Sequence, residues 1–445
     1  MSKNATENLP LDGIRIVELT SAGAGPFGGM ILSDLGAEVI KVEDSIRPDV
    51  GTRGPVELAP ASMRGAIGAH YPDRQAGTRP YERYTMFNYL CRNRLSATFD
   101  LSRPSMHAML LRLIDRSDVL LANRMAGVLE GMGLGYDVLS QRNERLVMVE
   151  ATAFGSSQSP YRDYRGYGAT MEAFAGHTLL RGYPDSEPSS TYTVVHADAV
   201  GGAHAAFAIC AALVSREQTG HGTYIDLAQT EALIHQLGPA IMDFTMNGRV
   251  RETLGNRDTS IVQGVYRSAG EDAWLAVSIE DDTQWVRLCG IIDRPLMALD
   301  DRFSTTTSRL RNIDEIDDAI ESWSLAVDHY EAFHLLQDAG IPAAPILDMK
   351  EAMADPHHRE RNFFEQVTYP YTGPIVDGVE GPGIHEYAGP FFDLSESNVR
   401  IRRAAPSVGQ DNEYVFREIV GLDADEYAEL VAGNHVVTGY GSRSN

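Results

Sequence analysis

Cysteine is scarce: Cys91, Cys210 and Cys289 are the only three in 445 residues, scattered and never in C-x-x-C spacing. That excludes a disulfide framework, argues against a zinc site, and predicts reduced thiols in a cytoplasmic protein. No run of about 18 apolar residues stands out, which argues against a membrane span. The opening MSKNATENLP has neither the basic nor the apolar region of a signal peptide and reads as a short polar leader. Positive charge is also in short supply, 38 Lys and Arg against 62 Asp and Glu, for a net charge of −24. Such a surface repels nucleic acid and anionic lipid, so a phosphorylated ligand would need a locally built basic or helix-terminal site. Internal repeats and low-complexity tracts are absent.

The length predicts two or three domains, and 43% apolar residues with 22% charged suit a folded chain. GIRIVEL (13–19) reads as a strand entering a glycine-rich turn, PFGGMILSDLG as a helix opened by Pro26 and left at Gly36, and AEVIKVE (37–43) as the next strand. Strand, helix and strand within about 30 residues form a βαβ unit. Further runs at 95–101, 105–123 and 145–155 extend it to an open, doubly wound α/β sheet. Helices are predicted at 166–180 and at 198–220, the latter rich in small residues and ending at Gly220. Residues 263–289 read as a hairpin and a helix opening a smaller domain, and the tail YGSRSN as frayed.

Gly23, Gly25 and Gly28 spell G-x-G-x-x-G, and Glu43 lies where a ribose-binding acid of a dinucleotide fold would stand. Thr20, Ser21 and Ala22 intervene between strand and glycines, which loosens the match. From the motif alone, anion binding and plain helix–sheet packing weigh equally, with a redox cofactor behind both.

The wider context breaks that tie. The block GIRIVELTSAGAGPFGGMILSDLGAEVIKVE resembles the opening of the family III CoA-transferases (CaiB/BaiF), a group with formyl-CoA transferase, carnitine CoA-transferase and α-methylacyl-CoA racemase. The likeness continues, in family order, at 92–101, 131–155, 198–233, 264–279, 341–364 and 387–395. It implies an α/β fold with a Rossmann-like large domain first formed by residues 1–225. A linker and small α+β domain would follow over 226–345, then a linker and return over 346–445. It further implies an interlocked homodimer, acyl-CoA and a carboxylic acid as substrates, and no tightly bound cofactor.

In relatives that transfer CoA, an aspartate at the start of the helix after a GPY-like segment attacks the acyl-CoA. The position matching it in SPYRDYRGYGATMEAFAG is Gly168. Glu172, one helical turn on and on the same face, is the candidate for the nucleophile's role; a glutamate in a first helical turn also suits the helix dipole. Asp198 is a second acid, paired with Glu172 as acid and base if the enzyme is instead an α-proton racemase or lyase. A degenerate subunit of a heteromeric transferase is a further alternative. The amides around Gly25 and Gly28 are expected to stabilise an oxyanion. For CoA, the resemblance points to Ala24, Lys41, Val42, Arg92, Arg94, Asn123 and Arg124, with Arg124 foreign to the family's pattern in ANRMAG. His196, His204 and His235 are further titratable candidates, and His357 and His358 are read as loop residues without a metal. The Thr, Ser and Gln of NRDTSIVQGVY suggest a polar or short acid as substrate.

Overall fold

The computed structural model describes residues 8–57, 70–191, 194–369 and 383–440. The leader and the tail after Tyr440 lie outside them. Two compact units are present: Met1–His177 with Thr193–Met242 and Asn362–Asn445, and Thr178–Tyr192 with Asp243–Arg361.

The large unit is built on six parallel strands, β1 (Arg15–Leu19), β2 (Glu38–Asp44), β3 (Leu95–Phe99), β4 (Val119–Ala122), β5 (Val147–Thr152) and β6 (Tyr224–Ala228), in the order β3-β2-β1-β4-β5-β6. Side chains alternate between two buried faces, which is why these strands read as near-continuous apolar runs. One face carries Val17, Leu19, Ile40 and Phe99 onto Leu110 and Leu113 of the helix Pro104–Asp115. The other carries Ile16, Val39, Val119 and Val149 onto Leu32 of the first helix (Ala24–Asp34) and Ala205 and Ile209 of a long helix (His196–Thr219).

Strand order reverses between β1 and β4, so the loops leaving their carboxyl ends splay apart and open a crevice. The long helix, at 24 residues, is long and apolar enough to cross a membrane by length and composition alone. Its inner face is nevertheless spent on the first helix and the sheet, where Gly201, Gly202, Ala205, Ala206 and Ile209 are buried. It ends at Gly220, whose positive φ of 78° makes the left-handed cap.

The small unit has an antiparallel sheet of β7 (Val262–Arg267), β8 (Trp274–Ile279) and β9 (Ala343–Ile346), with β8 in the centre. Gly270 and Asp272, both at positive φ, turn the β7–β8 hairpin. Its core gathers Leu275, Val277, Trp285, Ile316, Ile320 and Leu336. The segments 364–368 and 384–388 pair as an antiparallel ribbon, β10 and β11, within the large unit.

Candidate active site

The crevice is held open in a fixed shape by polar clamps between loops. Asn123, just past β4, accepts from Ser21 N at 2.8 Å and returns a bond from Nδ2 to Ser21 O at 2.8 Å. A side chain at Gly25 would come within 2.5 Å of Thr20 and 3.0 Å of Asn123, so only glycine lets the first helix start this close to the clamp.

The first helix and the long helix touch backbone to backbone. A Cβ on Gly28 would lie 2.8 Å from Gly202 O, and one on Gly202 would lie 2.5 Å from Ala24 O. This contact carries the first turn of the long helix to the first turn of its neighbour. There Ala24 N donates to Asp198 Oδ1 at 3.2 Å.

Asp198 is wedged between two glycines. A Cβ at Gly23 would stand 3.0 Å from its Cγ, and one at Gly168 only 2.4 Å from its Oδ2. The position of the expected aspartate is therefore filled in space by the carboxylate of Asp198. Burial raises the pKa of Asp198, the Ala24 amide works against that rise, and the charge of Glu172 adds to it.

Glu172 lies on the short helix Gly168–Phe174 and is buried, 1% exposed. Its Oε1 accepts the backbone N–H of His196, the first residue of the long helix, at 2.6 Å. It thus satisfies an amide at that helix's open N-terminus. Asp198 opens instead onto a cavity of about 330 Å³ bounded by the loops after β1, β4 and β5, and Glu172 is not among the described residues that line it. The cavity wall also holds Arg124, Arg162 and Arg165, with Thr152 and Gln229 beside them. Gln229 Nε2 donates to Ala151 O at 2.7 Å, leaving Oε1 buried and without a partner, as is Thr152 Oγ1. Arg162, Arg165 and Gln229 were not singled out in the sequence, since no local pattern ties them to one cavity.

Several of the residues expected to meet CoA have other engagements. Lys41 is buried in β2; its Nζ donates to Thr20 O at 3.0 Å and lies 3.7 Å from Glu18 and 3.5 Å from Asp49. Burial disfavours its charge, yet Glu18 and Asp49 hold its pKa above the ordinary value. Arg94, fully buried, pairs with Glu18 at 3.0 Å, and Arg92 pairs with Asp34 at 2.7 Å and donates to Ala388 O at 2.7 Å. Val42 is a core residue of β2. Glu43, the would-be ribose acid, binds the buried Arg53, with Nη2 to Oε1 at 2.6 Å, and accepts from Ser96. Its oxygens are occupied from within the fold. His196 faces His177 at 3.3 Å and His204 bonds Val200 O at 2.8 Å. Among the described residues, no group of three or more His, Cys, Asp or Glu is placed to hold a metal ion.

The model of CoA-transferase family III matches residues 11–412. The chain belongs to that family. The transferase is 30% identical to succinyl-CoA–D-citramalate CoA-transferase of Chloroflexus aurantiacus, over 95% of this chain and 97% of that one. It is 29% identical to the beta subunit of succinyl-CoA–L-malate CoA-transferase from the same organism, over 96% and 98%. Among solved structures it resembles a CaiB/BaiF family protein from Brucella suis, with a TM-score of 0.76, 25% identity, and coverage of 93% and 100%. The transferase is thus an enzyme of acyl-CoA:carboxylate CoA transfer, built on a mixed α/β fold with a parallel central sheet.

Proposed function

We propose that the transferase moves CoA through covalent intermediates on Asp198, with Glu172 as a positioning residue. The carrying observation is that the Asp198 carboxylate occupies the space of a side chain at Gly168 and opens onto the cavity. An Asp198 oxygen attacks the thioester carbonyl and the C–S bond breaks, giving an acyl–aspartyl anhydride and CoA thiolate. The thiolate then attacks the aspartyl carbonyl, expels the first carboxylate and forms an enzyme-bound CoA thioester. The acceptor carboxylate attacks that thioester, and the freed thiolate takes the new acyl group from the second anhydride. Each step exchanges one acyl bond for another, which replaces one difficult transfer by several easier ones.

The Ala24 amide donates to Asp198 Oδ1, and that oxygen becomes the oxyanion when thiolate attacks the aspartyl carbon. Burial raises the basicity of the carboxylate and so its strength as a nucleophile. Two copies are proposed to assemble through the uncovered face of the long helix.

Intact-protein mass spectrometry after mixing with a panel of acyl-CoAs tests the assignment. Wild type and Glu172→Gln should carry a CoA-sized adduct that hydroxylamine removes, and Asp198→Asn should carry none. An adduct on Asp198→Asn that is missing from Glu172→Gln would transfer the nucleophile's role to Glu172.

A further inference from the structure

We propose that Arg124 and Arg165 select acceptor acids that carry a second anionic group, such as a short dicarboxylate. The inference rests on CoA transfer at Asp198. On a chain of net charge −24, three arginines line one cavity of about 330 Å³ whose wall also holds Asp198, the reacting carboxylate. Arg162 is partly engaged, bonding Ser156 O at 2.7 Å and lying 3.6 Å from Glu130. Arg124 only donates Nε to Leu19 O, at 3.3 Å, and among the described residues neither it nor Arg165 is paired with a carboxylate.

A cluster of guanidinium groups beside a reactive carboxylate repels nothing the reaction needs and favours a substrate that brings negative charge of its own. Planar guanidinium forks match a carboxylate in geometry as well as charge. One carboxylate of the acceptor would then reach the thioester on Asp198 while the other rests on the arginines. The orphaned Gln229 Oε1 and Thr152 Oγ1 in the same wall call for a polar ligand, since buried groups of this kind normally find partners. A plain aliphatic acyl chain would leave them and both guanidinium groups unmet.

The phosphates of CoA are the other anions available. The whole pantetheine arm separates them from the sulfur, and it is the sulfur that must reach Asp198. A cavity holding Asp198 and the arginines together is therefore a place for the acid and not for the nucleotide end.

The experiment compares a short dicarboxylate with its monomethyl ester as acceptor, using the full chain, its Arg124→Ala and Arg165→Ala variants and the charge-keeping Arg124→Lys. Wild type should favour the diacid by about 10- to 100-fold in kcat/KM, the range of a charged hydrogen-bonding group. Each alanine variant should lose most of that preference with KM for acyl-CoA unchanged, and Arg124→Lys should keep part of it. An equal preference in all proteins, or a loss confined to KM for acyl-CoA, overturns the proposal. Calorimetric titration of the diacid separates this idea from the reading beneath it. Diacid binding that the alanine variants weaken supports the anion site even if no covalent adduct forms. An adduct without diacid binding or preference leaves the transfer chemistry standing and removes the site.

Discussion

Gly168 and Asp198 form one unit in space although 30 positions separate them, because a side chain at the first would collide with the carboxylate of the second, 2.4 Å from its Oδ2. The two positions should therefore be interchangeable as carriers of a single carboxylate. Asp198→Ala should abolish the hydroxylamine-labile adduct. A side chain at position 168 would also meet Val195 Cγ1 at 2.5 Å, so Gly168→Asp is added to it together with Val195→Ala. That combination should bring the adduct back, read by intact mass; a triple variant as silent as the single one would refute the spatial exchange. Asp198 also links activity to stability. Its pKa is raised by burial and by the charge of Glu172, so the folded state holds a proton that the unfolded chain has already released. Stability is then lost as pH rises from the ordinary aspartate range through the raised value. Asp198→Asn should raise the melting temperature at pH 7 and leave it little changed below pH 4, while removing activity. A lower melting temperature at pH 7 would contradict this sign. The sequence made Asp198 a candidate, but its distance from Gly168 is a property of folding. For the same reason Lys41, Arg92 and Arg94 looked free to meet CoA: their partners Glu18 and Asp34 stand 23 to 76 and 58 positions away.

The first helix and the long helix place the site, and their crossing depends on a pair of glycines. With Gly202's missing side chain facing Ala24 O at 2.5 Å and Gly28 N at 2.8 Å, an added methyl meets backbone that cannot rotate away. Gly202→Ala should cost about 1–3 kcal/mol, the usual range for overpacking, measured by urea unfolding. It should also lower kcat, since separating the helices draws the Ala24 amide off Asp198; unchanged stability and kcat would show that the crossing does not fix the site. Elements of this kind were legible where pattern and punctuation agree. The long helix was read over 198–220 and runs His196–Thr219, and the strand read over 37–43 runs Glu38–Asp44. The helix read over 166–180 instead stops at Phe174, because Gly176 takes a positive φ of 85° and breaks it. Apolar spacing continued past that point, and spacing alone does not show which glycine leaves the helical region.

At the scale of the molecule, the sequence disclosed a parallel doubly wound sheet but not which loops share its crevice. That follows from β1 lying beside β4 rather than β3, a pairing between residues about a hundred positions apart. The same scale explains the long helix. Its inner face is buried on the sheet, whereas Phe207 and Val214 are 74% and 63% exposed and, with exposed Ala211 between them, make an apolar stripe at helical spacing. A second copy of the chain is the occupant proposed for it, and a twofold interface would bury Phe207 of both copies. Burying a phenylalanine contributes about 1.5–3 kcal/mol, so Phe207→Glu should weaken the dimer by at least about a hundredfold once both copies count. Sedimentation equilibrium should give twice the chain mass for the wild type and a shift toward one chain mass for the variant. Added salt should tighten the wild-type dimer, because two chains of −24 repel each other and ions screen that repulsion. A wild type that sediments as a single chain at every salt concentration would leave the stripe to another partner, and an unchanged dimer in Phe207→Glu would move the interface off this helix.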